Sequence, residues 1–235
     1  MLHVCGSLLY ISNMSQCTIN DTDARLQKYA EGELIVTDPP YNIGYRYEGE
    51  FTDRIDDYAA LFEPMRGHRV VIIHYMEQII ADIVPVLGNP SRVVSWIANS
   101  NLPRCWRAVC WWNCTPDLSK VRVPYQNMDD KRVQELHART GGRKLPDWWH
   151  IEQVKNVSAE KVQGYTNQIP REVIYNILKT TAAHGDVIVD PFSGTGTTAK
   201  VAQELGMSFR VSDVNPTARD LTRKRLSQSV ISLNG

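Results

Sequence analysis

Val187-Ile188-Val189-Asp190-Pro191-Phe192-Ser193-Gly194-Thr195-Gly196-Thr197-Thr198 reads as a strand, a glycine turn and the start of a helix. The strand is apolar on both faces until its terminal acid, as in a sheet covered on both sides. Gly194 and Gly196 allow the backbone to approach a ligand closely. Free N–H groups at the start of the helix favour a carboxylate or a phosphate. The helix runs to Leu205 and stops at Gly206. The next apolar run, Phe209 to Asp213, ends in an acid seventeen residues past Gly196. In doubly wound folds an acid at that place accepts hydrogen bonds from ribose hydroxyls. Asn215-Pro216 then opens another helix, with Asn as N-cap and Pro at the first helical position.

Gly194-x-Gly196-x-x-Ala199 also fits a dinucleotide fingerprint. A dehydrogenase strand, however, runs directly into its first glycine, and here Asp190-Pro191-Phe192-Ser193 intervenes. A phosphate-binding P-loop fails too, because no Gly-Lys-Ser/Thr closes the turn. Upstream lie further apolar runs at Leu34–Thr37, Val70–His74, Val93–Ile97 and Val109–Trp112. Residues 172–183 put Val173, Ile174, Ile177, Leu178 and Thr181 on one helical face. This alternation predicts an α/β fold: a doubly wound, mostly parallel sheet with helices on both faces and ligands at the C-terminal ends of its strands.

The run at Leu34 leads straight into Asp38-Pro39-Pro40-Tyr41. Two prolines remove two backbone donors and stiffen the turn, leaving the carbonyls free as acceptors. Asp38 adds a carboxylate and Tyr41 a flat ring. Those parts suit an amino group on a planar heterocycle, which needs two acceptors and a face to stack on. A strand-ending proline turn with a capping Asp is the bland alternative.

The 235 residues carry 26 basic and 26 acidic side chains, which excludes a histone-like protein and an acidic disordered tail. The charge is uneven. Residues 1–100 hold 7 basic and 13 acidic groups, residues 101–163 hold 11 and 7, and residues 164–235 hold 8 and 6. All six tryptophans lie between Trp96 and Trp149, and residues 113–168 have weak periodicity. That stretch reads as an irregular insertion on the sheet, a common place for function. No apolar run is long enough for a membrane span. The apolar start, Met1 to Tyr10, lacks a basic lead and a cleavage site, so it is not read as a signal peptide. Five cysteines without a CxxC pair predict reduced thiols, a cytoplasmic location and no metal site.

Taken together, the two turn motifs resemble those of the S-adenosyl-L-methionine-dependent DNA amino-methyltransferases, which modify adenine N6 or cytosine N4. The catalytic element precedes the cofactor loop, as in the permuted beta group of that family. The resemblance implies one methyltransferase domain over residues 1–235, a seven-strand sheet, and a target-recognition insertion over 104–163. It implies Asp38, Pro39, Pro40 and Tyr41 as catalytic residues. It implies cofactor contacts from Asp21, Gln168, Asp190, Phe192, Ser193, Gly194, Thr195, Gly196, Thr197 and Asp213. The segments Phe51 to Phe62 and Gln168-Ile169-Pro170 fit the element after the catalytic turn and the one closing over the cofactor's methionine end. The chain departs from the family where Tyr165 to Pro170 replaces a His-Pro-Thr-Gln-Lys-Pro pattern, and where Trp106-Arg107 replaces a His-Glu pair.

A DNA substrate follows, with its base flipped out and its backbone held by the basic segment after residue 100. Arg104, Arg107, Arg143 and Lys144 lead those candidates, followed by Lys120, Arg122, Lys131 and Arg132. A homodimer and a cognate restriction nuclease stay open as partners. Aspartate at the first motif position leans toward adenine. Cytosine N4, an RNA substrate, an NAD-type oxidoreductase and a silent DNA-binding module are the rivals. His74 and His150 are discounted as general bases, because the proton can leave after methyl transfer.

Overall fold

The computed structural model describes residues 17–46, 52–99 and 104–231. The apolar start, Met1 to Tyr10, and Phe51 at the head of the segment after the catalytic turn lie outside them. One sheet of eight strands dominates: β1 (Cys17–Asn20), β2 (Glu33–Thr37), β3 (Arg69–His74), β4 (Arg92–Ile97), β5 (Trp106–Trp112), β8 (Trp148–His150), β9 (Val187–Asp190) and β10 (Ser208–Ser212). Their order is β1-β10-β9-β2-β3-β5-β4-β8. β5 alone runs against its neighbours, and every other pairing is parallel. A second, two-stranded ribbon pairs β6 (Arg122–Val123) with β7 (Arg143–Lys144).

The two-faced apolar strands divide their side chains by alternation. Leu34, Val36, Val71, Ile73, Val109 and Trp111 join one core with helices α4 (Arg171–Thr181) and α5 (Thr197–Glu204). Ile35, Val70, Ile72, Ala108, Cys110 and Trp112 join the other, with Phe62, Ile79 and Ile83. The last two belong to a helix built of α1 (Met76–Gln78), a π turn (Ile79–Ile83) and α2 (Val84–Leu87). The wide turn lies just ahead of Pro85, whose ring cannot donate to the carbonyl four residues back.

The structure corrects the expectation in two places. The sheet has eight strands, not seven, because β8 adds an edge beside β4. Residues 113–168 are also more regular than expected. They contain helix α3 (Lys131–Thr140), capped by Asp130, besides β6, β7 and β8. Residues 106–112 belong to the sheet as β5. Four tryptophans are structural: Trp96, Trp111, Trp112 and Trp149 are buried. Each places its indole N–H on an acceptor, respectively Ile151 O, Thr181 Oγ1, Gly88 O and Pro146 O. Helix α6 (Pro216–Ile231) completes the fold behind α5. Among the described residues no helix is long and apolar enough to cross a membrane.

Candidate active site

The C-terminal ends of β2, β9 and β10 meet at one cavity of about 290 Å³. Its wall includes Asp38, Pro40 and Tyr41 from the turn after β2. It also includes Asp190, Phe192, Ser193, Gly194, Thr195 and Thr197 from the turn after β9, and Asp213 after β10. The two motifs therefore share one space, although 152 residues separate Asp38 from Asp190 in the chain.

Parallel pairing aligns the strand ends, and side chains lock them. Thr37 donates its hydroxyl to Asp190 Oδ1 at 2.7 Å, joining β2 to β9. The Phe192 N–H donates to the same oxygen at 3.1 Å. Burial pushes the Asp190 carboxyl up to about 6, against the pull of bonds from Thr198, Thr37 and the Phe192 N–H. Asp213 accepts the N–H of Gly194 at 2.8 Å and of Asn215 at 2.9 Å. Burial raises its pKa, partly offset by those two bonds. Gly196 caps α5 with φ 73°, a left-handed conformation. A Cβ there would come within 2.6 Å of Thr222 Cγ2. Its function is thus close packing against α6, and it lies outside the cavity wall.

On the other side, Tyr41 donates its hydroxyl to Asp38 Oδ1 at 2.8 Å. Burial pushes the Asp38 carboxyl up to about 7, while the Arg107 guanidinium and the Tyr41 hydroxyl pull it down. The Tyr41 ring packs on Tyr75 at 4.7 Å and His74 at 5.0 Å. Pro39 is buried behind the turn. Asn42, with φ 56°, and the turn beyond it are held by Asp53, whose buried carboxylate accepts the N–H of Ile43 at 3.1 Å and of Tyr45 at 2.6 Å. Tyr45 in turn donates to Thr166 Oγ1 at 3.0 Å, tying this turn to the segment that closes the cavity through Tyr165, Asn167, Gln168 and Ile169.

Residues 95–224 match the family described as DNA methylase, N6_N4_Mtase. The chain belongs to the N6/N4 DNA methylase family. Among curated relatives, the type II methyltransferase M.BglII of Bacillus subtilis is 24% identical, aligned over 83% of this chain and 63% of its own length. M.ScaI of Streptomyces caespitosus is 27% identical, over 86% and 77%. M1.MboII of Moraxella bovis is 31% identical over 44% and 45%. This chain thus spans less than two thirds of M.BglII and M1.MboII. The fold matches PvuII DNA methyltransferase (cytosine-N4-specific) with a TM-score of 0.64 at 14% identity, over 90% of this chain and 86% of that one. It matches an M1.HpyAVI–SAM complex with a TM-score of 0.55 at 19% identity, over 89% and 99%. These likenesses establish the family's fold.

Several expected site residues fall elsewhere. Asp21, just past β1, is exposed and outside the cavity wall. Asp23, Ala24 and Arg25 take its place, because Asp23 caps a short turn by accepting the Arg25 N–H. Gln168 lines the cavity, but its amide is engaged by the Val162 N–H and the Glu160 carbonyl, so it braces the closing segment. Arg107 turns inward, lying over Trp96 at 4.9 Å and over Tyr41 and Tyr75 at 5.4 Å. Arg104 remains exposed beside the site, 4.8 Å from the Tyr75 ring.

Arg143 and Lys144 lie at the end of the sheet opposite the cavity. Their ribbon leads into β8, which rises in parallel with β4 toward the catalytic edge. Lys144 neighbours Ser91, Arg92 and Asp117, where β4 begins. Asp117 is itself fixed to the C-terminal end of α4 through the Thr180 carbonyl. His74 and His150, discounted as bases, are respectively buried against the turn and exposed near Glu152. Asp53 escaped the sequence reading because no local pattern links an acid to amides ten residues earlier.

Proposed function

We propose that the protein transfers a methyl group from S-adenosyl-L-methionine to an exocyclic amino group in DNA, with adenine N6 as the acceptor. The observation that carries this reading is the single cavity bounded on one side by Asp38 and Tyr41 and on the other by the 192–195 turn and Asp213. The cofactor half fits a nucleoside carrying a charged tail. Asp213 has lone pairs left for ribose hydroxyls. Ser193 Oγ, buried in the wall, has no partner among the described residues. The names of the type II methyltransferase relatives and of the SAM complex support the same assignment.

Bound S-adenosyl-L-methionine supplies a methyl group activated by its sulfonium. The protein's own residues prepare the acceptor. An exocyclic amine on a heterocycle is a poor nucleophile, because its lone pair is delocalised into the ring. In this reading, Asp38 in the cavity wall and, by the family resemblance, the carbonyl of Pro39 accept its two N–H bonds, which draws the nitrogen toward sp³ geometry and frees the lone pair. The same acceptors offset the positive charge that develops on nitrogen. The stiff proline turn keeps them aligned and limits reorganisation. Tyr41 offers a ring face to a base taken out of the duplex. The aspartate at the first motif position supports adenine over cytosine through the family resemblance.

The test is transfer of label from methyl-tritiated cofactor to DNA, followed by nucleoside mass spectrometry. N6-methyladenine is expected. N4-methylcytosine would move the acceptor within the family. Label on RNA alone would displace DNA, and no label at all would reject methyl transfer.

A further inference from the structure

We infer that Tyr58 and His74 are positioning residues for the methyl-acceptor half of the site, acting through the Pro40 carbonyl. The inference rests on the methyl-transfer reading above for its kinetic consequence and on geometry for its structural content.

His74 ends β3 and is fully buried. A buried imidazole needs a partner for each nitrogen. Its Nδ1 accepts the Tyr75 backbone N–H at 2.8 Å. The ring proton therefore resides on Nε2, which faces the Tyr58 hydroxyl at 2.7 Å. Since the Tyr58 oxygen accepts from His74, its own proton is directed to the Pro40 carbonyl, the third contact of the chain. Burial pushes His74 down to about 4, in keeping with a neutral ring that donates from one nitrogen and accepts at the other.

The arrangement supplies something the turn cannot make for itself. Pro39 and Pro40 have no N–H, so neither can anchor the turn by donating to a neighbouring carbonyl. Fixing the Pro40 carbonyl fixes the plane of the Pro40–Tyr41 peptide. That plane sets the direction of the Tyr41 side chain on one side and of the Pro39 unit on the other. The same imidazole packs edge-on against Tyr41 at 5.0 Å. Tyr58 is held from behind by Phe62, with ring centroids 5.2 Å apart. The buried Tyr58–His74 pair thus bears on both the Pro40–Tyr41 peptide and the ring proposed to stack on the base. A merely structural pair would satisfy the core and leave the rate alone.

Tyr58→Phe keeps the ring and removes one hydroxyl. For a single lost hydrogen bond, kcat is expected to fall about five- to tenfold. KM for DNA and cofactor affinity by calorimetry should stay near wild type, while the thermal midpoint falls by a few degrees because the buried His74 Nε2–H loses its acceptor. His74→Gln, whose amide N–H can still donate to Tyr58, should recover most of the kcat that His74→Leu loses. Should Tyr58→Phe fail to fold, this histidine pair decides alone, and equal rates for Gln and Leu would overturn the inference. A Tyr58→Phe rate within about twofold of wild type would also overturn it. If the wild-type protein itself transfers no methyl group, the functional reading falls. The crystal structure of Tyr58→Phe then decides the inference: a displaced Pro40 carbonyl upholds it and an unmoved one refutes it.

Discussion

Tyr41 donates its hydroxyl to Asp38 Oδ1 at 2.8 Å, so the ring proposed to stack on the base also orients the carboxylate proposed to hold the amine. The proline turn brings the two side chains together at a separation of three residues. A stacking role for the ring alone would predict a harmless Tyr41→Phe. The bond predicts otherwise. Loss of a hydrogen bond to a charged group should lower kcat about tenfold. Tyr41→Ala, which also loses the ring, should be worse. Rates of the two variants on one DNA substrate check the ordering, and a Tyr41→Phe equal to wild type would confine the role to the ring face.

Asp38→Ala should lower methyl transfer by about 10²–10³, the usual loss when a preorganised polar contact is removed. Cofactor affinity should stay close to wild type, because Gly194 and Asp213 lie on the other side of the cavity. Single-turnover rates combined with calorimetry separate the two effects. Retention of more than about a tenth of the rate would remove Asp38 from the acceptor role.

The pH dependence follows from burial of Asp38. Its pKa is raised from 3.8 to about 7, and the proposed acceptor is the ionised form. Activity expressed as kcat/KM should therefore rise with pH through about 7. Stability moves the other way. The folded state keeps a proton on Asp38 that the unfolded chain has already lost, so this contribution is complete below 3.8 and disappears as pH rises through about 7. Asp190, raised to about 6, adds the same sign over a narrower window. Rate profiles and urea titrations of wild type and Asp38→Asn check both. A flat rate profile around neutrality would contradict the role of the carboxylate.

Gly196→Ala should destabilise the protein by about 1–3 kcal/mol, since the new methyl meets Thr222 and the backbone is left-handed. Thr222→Ala in the same chain should restore part of that loss, although it sacrifices the bond from Thr222 to the Gly194 carbonyl. A double-mutant cycle in urea measures the coupling. Strict additivity would mean that backbone strain, not contact, causes the effect.

DNA affinity should depend on Arg104 and not on the distant pair. Arg104→Ala should weaken binding and flatten its salt dependence by about one counterion. Arg143→Ala with Lys144→Ala should leave both unchanged, because those residues lie where β4 begins, at the opposite end of the sheet from the cavity proposed to take the target base. Titrations at several salt concentrations decide, and the reverse pattern would put the DNA path over the β6–β7 ribbon.

The α/β fold and both turns of the site were readable in the chain because their information is local. Asp38 to Tyr41 and Asp190 to Thr198 are contiguous, each follows a strand apolar on both faces, and proline and glycine restrict the backbone wherever they occur. β1 and β8 escaped such reading because edge strands need neither two apolar faces nor length. The π turn escaped because a proline inside an apolar run argues against helix. The tertiary structure alone decided what joins these pieces. Thr37 finds Asp190 across 153 positions, Asp53 reaches back eight and ten residues to clasp the turn, and Tyr58 meets both Pro40 and His74. It also turned Arg107 inward and carried Arg143 and Lys144 to the far edge, where composition had suggested a DNA contact. A charge in a sequence has no direction. Sheet order and the burial of neighbouring rings give it one, and those depend on the whole chain being packed.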